Sequence, residues 1–280
     1  MTLSHSRFRQ LLVTTTALAV GLVLLGVYTA AEGAGLACDG RWPLCDGWMG
    51  LFPANWPSFV EWFHRLVAMI VGFLILGTAL AAWLADVDGR IKGALAAAVV
   101  ALPIQIWLGA ETVLAYTIIS LTAHFVAALV ILALLTVAVA WTYGPSATDP
   151  EQIRRTLVAT LALLPVFVAF APGMLFVHTS TVQVVYYGLG VCLFVALVAV
   201  TAWSGLLDRP MLSRVGILTA TGAVLIGAQL VIGRLYYSDL LNLLDTGGAV
   251  ATFAIVGLAA WLAYRVEPDA RPAAGVPRRS

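Results

Sequence analysis

The chemistry available to this chain sits in three histidines, one glutamate, two cysteines and two arginines set among long apolar runs. Glu61 and His64 are spaced i, i+3, so a helix starting there presents both side chains on one face. His124 lies early in a later apolar run, and His178 opens another, whereas His5 belongs to a leading polar segment and reads as solvated. An ionisable side chain inside an apolar span is costly, and it normally faces a partner or a cofactor. Two imidazoles at matched depth on separate helices can supply both axial ligands of a haem iron. The spacing does not separate haem from a smaller metal, and a histidine satisfied by a backbone carbonyl is the plainer alternative for each. Cys38 and Cys45 lie seven positions apart in a loop rich in Gly and Pro, close enough to come within bonding distance.

The elements that must position these groups follow from composition. The chain has 280 residues, 61% hydrophobic and 10% charged, with a mean hydropathy of +0.98. These values exclude a soluble globular domain, and a net charge of +1 calls for no nucleic-acid partner. About 20 apolar residues cross a bilayer, which predicts eight spans, at 11–31, 58–85, 93–112, 118–143, 155–174, 181–205, 213–233 and 244–264. A polytopic all-α membrane protein is the fold class, because unbroken apolar runs satisfy their backbone in lipid only as helices. The rival reading of residues 1–31 as a cleaved signal peptide would leave seven spans and break the symmetry described below.

Placing both termini in the cytoplasm leaves only Arg41, Arg65 and Arg234 on the outer side, as the positive-inside rule requires. The expected location is the cell membrane, with the cysteine loop on its oxidising outer face, where a Cys38–Cys45 disulfide is chemically permitted. Arg65 and Arg234 are cations on the less favoured side. Fixed anions such as haem propionates would explain them, and snorkelling to water is the alternative. Cys192, inside the sixth span, reads as a small core residue.

Two halves of four spans are expected. Gln105-Ile-Trp-Leu-Gly109 and Gln229-Leu-Val-Ile-Gly233 repeat one Q-x-x-x-G pattern 124 positions apart, each at the outer end of a span. This divides the chain into residues 1–144 with the Cys-bearing loop, residues 145–264 with a degenerate second site, and a tail at 265–280 that reads as disordered and cytoplasmic. Small residues such as Gly72, Gly77, Gly222 and Gly227 are expected to let helices approach closely, and Pro103 and Pro165 to kink their spans. In the second half the position matching His124 is Gly248, with Asp245 the nearest polar residue, and His178 has neither cysteines nor a glutamate before it.

At Gly33-Ala-Gly-Leu-Ala-Cys38, Trp42-Pro-Leu-Cys45, Glu61-Trp-Phe-His64-Arg65 and His124, the chain resembles the haem A synthase (CtaA-like) family of cytochrome oxidase assembly proteins. The resemblance implies an eight-helix duplicated bundle that oxidises a ring methyl group of haem O to the formyl group of haem A. It implies His64 and His124 as holders of the substrate haem and Glu61 as the catalytically important carboxylate. Cys38 and Cys45 would be the outer-loop thiol or disulfide pair. A haem b site in the second half would need two histidines, of which His178 alone is present. The partners implied are haem O synthase, membrane lipid and an electron donor that the sequence does not name, with a homo-oligomer left open. The first-half histidines equally suit a bis-histidine membrane cytochrome b, and the missing second-half ligand suits a non-catalytic haem chaperone.

Overall fold

A computed structural model describes residues 4–144, 148–235 and 239–266 of the chain. Among these, eight helices are long and apolar enough to cross a membrane, and the described residues contain no strand. They are α1 His5–Ala31, α2 Trp56–Leu84, α3 Gly89–Leu114, α4 Ile118–Tyr143, α5 Pro150–Ala169, α6 Ser180–Ser204, α7 Pro210–Ile232 and α8 Asp239–Tyr264. The protein is a multi-pass membrane protein of all-α class. The spans expected from hydropathy coincide with these helices, but most of the helices start earlier because polar caps and prolines begin them outside the apolar run. Asn55 accepts from the Ser58 amide at 3.0 Å with Pro57 in the first turn of α2, and Thr117 and Ser120 form a reciprocal capping box on α4. α5 ends at Ala169, five residues before the expected end, in turns that run through Pro172 and Gly173. Pro103 and Pro165 both lie inside their helices. Most of the tail expected to be disordered, from residue 267 on, falls outside the described residues.

The helices pack as two rings. In the first, α1 touches α2 and α4, and α3 touches α2 and α4, so α2 and α4 stand diagonally opposite. In the second, α6 and α8 each pack on both α5 and α7. The rings meet where α6 lies against α1 and α4, and where α4 reaches α7. Buried Leu12, Leu132, Leu135, Ile153, Leu157, Leu193 and Leu197 make the shared core, all but closed to solvent. Hydroxyl pairs join neighbouring helices, Thr15 with Thr78 at 3.0 Å and Thr201 with Thr219 at 2.9 Å. α1 is an integral part of the first ring, with Phe8 and Leu12 fully buried.

Two sequence expectations need correction. Cys192 is exposed on the outside of the bundle rather than buried in the core. A Cβ added at Gly72 or Gly77 would meet nothing within 4 Å, so these glycines bring no helices together. Gly222 does: its added Cβ would lie 3.3 Å from Leu197, whereas at Gly227 the nearest atom is at an ordinary 3.9 Å.

Candidate functional site

The loop between α1 and α2 is folded over the end of the first ring. Cys38 and Cys45 are joined as a disulfide, and both are completely buried. The Ser58 hydroxyl, in the first turn of α2, is 2.7 Å from the Asp46 carboxylate and donates to the Ala37 carbonyl at 3.1 Å, tying both arms of the loop to the helix. Arg65 completes the attachment. Its Nε donates to Glu61 Oε1 at 2.7 Å, and its Nη1 donates to the carbonyls of Arg41 at 2.9 Å and Leu44 at 2.6 Å. The Arg65 charge is therefore met by Glu61, an i, i+4 partner whose residue is only 5% exposed.

Beneath this cover lies a cavity of about 820 Å³ in the first ring. Its walls carry Glu61, His64 and Arg65 from α2, Gln105 from α3, His124 from α4, and Arg234 from the turn after α7. The structure thus brings Glu61, His64, Arg65, Gln105 and His124 of the first half to one cavity together with Arg234 of the second. Nδ1 of His64 and Nδ1 of His124 are both buried without a hydrogen-bond partner. The amide nitrogen of Gln105 stands 3.4 Å from His124 Nε2.

Each imidazole lies against a glycine of the preceding helix. A Cβ added at Gly26 of α1 would lie 3.0 Å from Cε1 of His64, and one added at Gly109 of α3 would lie 3.1 Å from Cε1 of His124. The Q-x-x-x-G pattern therefore has a structural meaning: its glutamine and its glycine, one turn apart, together seat His124. Gly26 is the counterpart that sequence reading missed, since nothing in the α1 run marks it. Part of the wall is open. Met69 and Phe73 of α2 and Ile106 of α3 line the cavity yet are 54%, 68% and 55% exposed, so the seam between α2 and α3 leads to the bundle's apolar outer surface.

The matching region of the second ring is filled. Tyr186 stacks on Phe167 with ring centroids 4.7 Å apart and donates to the Gln229 carbonyl at 3.1 Å, while Tyr187 donates to the Leu230 carbonyl at 3.1 Å. Gln229 donates to Thr252 at 3.1 Å and lies 3.4 Å from the place where a Gly248 Cβ would be, the same neighbours as Gln105 and His124 with the histidine gone. His178 lies two residues before α6, away from the first-half cavity, and its own partial burial lowers its pKa from the ordinary value. These side chains offer no paired imidazoles and no space at that position, so the second ring does not fit a bis-histidine haem.

The first ring does fit an iron porphyrin. The two histidines stand on diagonal helices, each keeps a ring nitrogen without a partner, and the cavity lies within the roughly 300–1,000 Å³ range of cofactor-sized pockets. Fold and site together define a class: an eight-helix membrane protein with an imidazole-lined cavity under a disulfide-closed loop. Residues 49–187, just under half of the chain, match the family described as cytochrome oxidase assembly protein. Among individual proteins, the chain is 32% identical over 152 residues to a protoheme IX farnesyltransferase of Halobacterium salinarum, which is 52% of this chain and 32% of that protein. It is 39% identical over 70 residues to a heme A synthase of Bacillus licheniformis, 24% of this chain and 22% of that protein. A heme A synthase of Shouchella clausii is 41% identical over 71 residues, 24% and 23% of the two chains. The matched stretch covers less than a third of each of these relatives.

Proposed function

We propose that this protein is a haem A synthase, which takes haem O into the cavity of the first ring and oxidises a ring methyl group to a formyl group. The observation that carries the reading is the pair of buried imidazoles, His64 and His124, lining one cavity with Glu61. Haem O, as substrate, brings the iron whose chemistry oxidises the methyl group. The residues of the chain bind, orient and protect. His64 and His124 hold the iron, while Gly26 and Gly109 fix the planes of their rings. Glu61 sits one turn before His64 at the boundary between cavity and loop, where it moves or holds a proton beside the substrate. Arg65 fixes that carboxylate, and the disulfide-closed loop above it keeps bulk water out. The open α2–α3 seam gives an apolar substituent such as a farnesyl chain a path to the acyl chains of the bilayer.

The arginine distribution supports a cell-membrane protein with both termini in the cytoplasm and the disulfide loop outside. Resemblance over half of this chain to proteins named for farnesylating protoheme IX supports a haem O synthase as its supplier. The oxidant is dioxygen. Each of two successive hydroxylations puts one of its oxygen atoms on the methyl carbon while two electrons from a separate donor reduce the other to water. The resulting gem-diol loses water to leave the formyl group. The test is co-expression with a haem O source, followed by purification and extraction of the pigment. Haem A or its alcohol precursor is expected. Unchanged haem O or haem B would overturn the enzyme reading in favour of an electron-carrying cytochrome.

Gly26→Ala and Gly109→Ala should each weaken haem binding by about 10–100-fold, the usual effect of disturbing a group that orients a metal ligand. Neither should lower the melting temperature, because alanine is the better helix former by roughly 1 kcal/mol. Gly77→Ala, whose new methyl group meets nothing and does not line the cavity, should leave affinity unchanged. Absorbance titration with ferric haem reads all three, and unchanged affinity in the first pair would mean that the rings are not held by these glycines.

A further inference from the structure

Arg234 is a residue of the second half that faces the first half's cavity. Its guanidinium is stacked 4.1 Å from the Phe125 ring centroid and 5.0 Å from that of Tyr187. Its Nε is buried without a partner, and none of the ion pairs formed by the described side chains involves it. A cation taken out of water needs an anion or a full set of acceptors, and this one has a hydrogen bond to the Tyr187 side chain, aromatic walls and an open cavity. Burial works against its charge, while the neighbouring Tyr187 favours it. Arg65, the other cation on the cavity wall, is already neutralised by Glu61 at 2.7 Å and spends Nη1 on loop carbonyls.

We propose that Arg234 recognises a carboxylate of the ligand in the first-half cavity, and that delivering this cation is what the second ring contributes to the site. The proposal rests on the haem reading above, in which the ligand carries propionate carboxylates. The filled interior of the second ring then acquires a purpose. Gly233 lies against Tyr186, 3.0 Å from an added Cβ to Cε1, and Tyr186 and Tyr187 both bond to the last turns of α7. Those contacts set the direction in which the chain leaves α7, and so the position of Arg234. The loss of the His124 counterpart at Gly248 and the gain of this aromatic packing belong together: the second ring has become a rigid holder for a residue used by the first.

The test compares ferric haem with its dimethyl ester, in which both propionates are blocked, by absorbance titration of the detergent-purified full chain. Wild type should bind the free acid roughly 10–100-fold more tightly than the ester, as a hydrogen bond between two charged groups gives. Arg234→Met should bind both at the affinity that wild type shows for the ester, and unchanged ester affinity in this variant shows that the cavity is intact. Arg234→Lys should keep part of the preference, since it keeps the charge but not the planar fork. Full preference retained in Arg234→Met, or its loss in Arg65→Met alone, would overturn the proposal while leaving the haem reading standing. Failure of wild type to bind either form would overturn both.

Discussion

His64→Ala and His124→Ala should each abolish the low-spin haem spectrum of the purified protein and weaken haem binding by about 100-fold or more. Disturbing a group that merely orients a metal ligand costs about 10–100-fold, and these variants remove the ligand itself. Neither change should unfold the bundle. Nδ1 of both rings has no hydrogen-bond partner, so deletion breaks no bond made there and enlarges a cavity that is already present. His178→Ala is the control. His178 does not line the cavity, so its removal should leave both spectrum and affinity as they are. Recording the absorption spectrum of each variant after reconstitution decides the matter, and a wild-type spectrum in both cavity variants would place the iron elsewhere.

Glu61→Gln should bind haem with the wild-type spectrum and still fail to make haem A, with turnover lowered by about 10²–10⁴-fold, the range for loss of a positioned proton-transfer group. The carboxylate stands one turn from His64 and is held at 2.7 Å by Arg65, so its position is fixed before any ligand arrives. The amide keeps the shape and loses the proton-carrying function. It also loosens the clamp: without the charge at Glu61, Arg65 holds the carbonyls of Arg41 and Leu44 less firmly, and amide exchange in residues 38–47 should quicken. Pigment extraction after co-expression reads the chemistry, and hydrogen exchange reads the loop. Normal haem A yield in this variant would remove Glu61 from the reaction, whatever happened to the loop.

Much of the site was legible because helices carry their own geometry. The Glu61 to His64 spacing put both on one face of α2, and the length of the apolar runs set His124 at a similar depth on α4. The i, i+4 spacing of Glu61 and Arg65 was equally available and would have identified their ion pair. The Q-x-x-x-G repeat was recognised as a mark of duplication, but its role in seating His124 depends on which helix lies beside α4.

The sequence by itself determined the eight helices, the loop that can close through Cys38 and Cys45, and the residue types able to hold iron. Those properties depend on apolar run length, local spacing and side-chain chemistry, all of which act within one segment. The tertiary structure decided which faces meet. It set His64 on Gly26, packed Tyr186 and Tyr187 where a second haem would need room, carried Arg234 across to the other ring, and left Cys192 on the outside. In a soluble protein the polar face of a helix would have announced these choices. In a bilayer the lipid-facing and protein-facing sides are both apolar, so only packing distinguishes them.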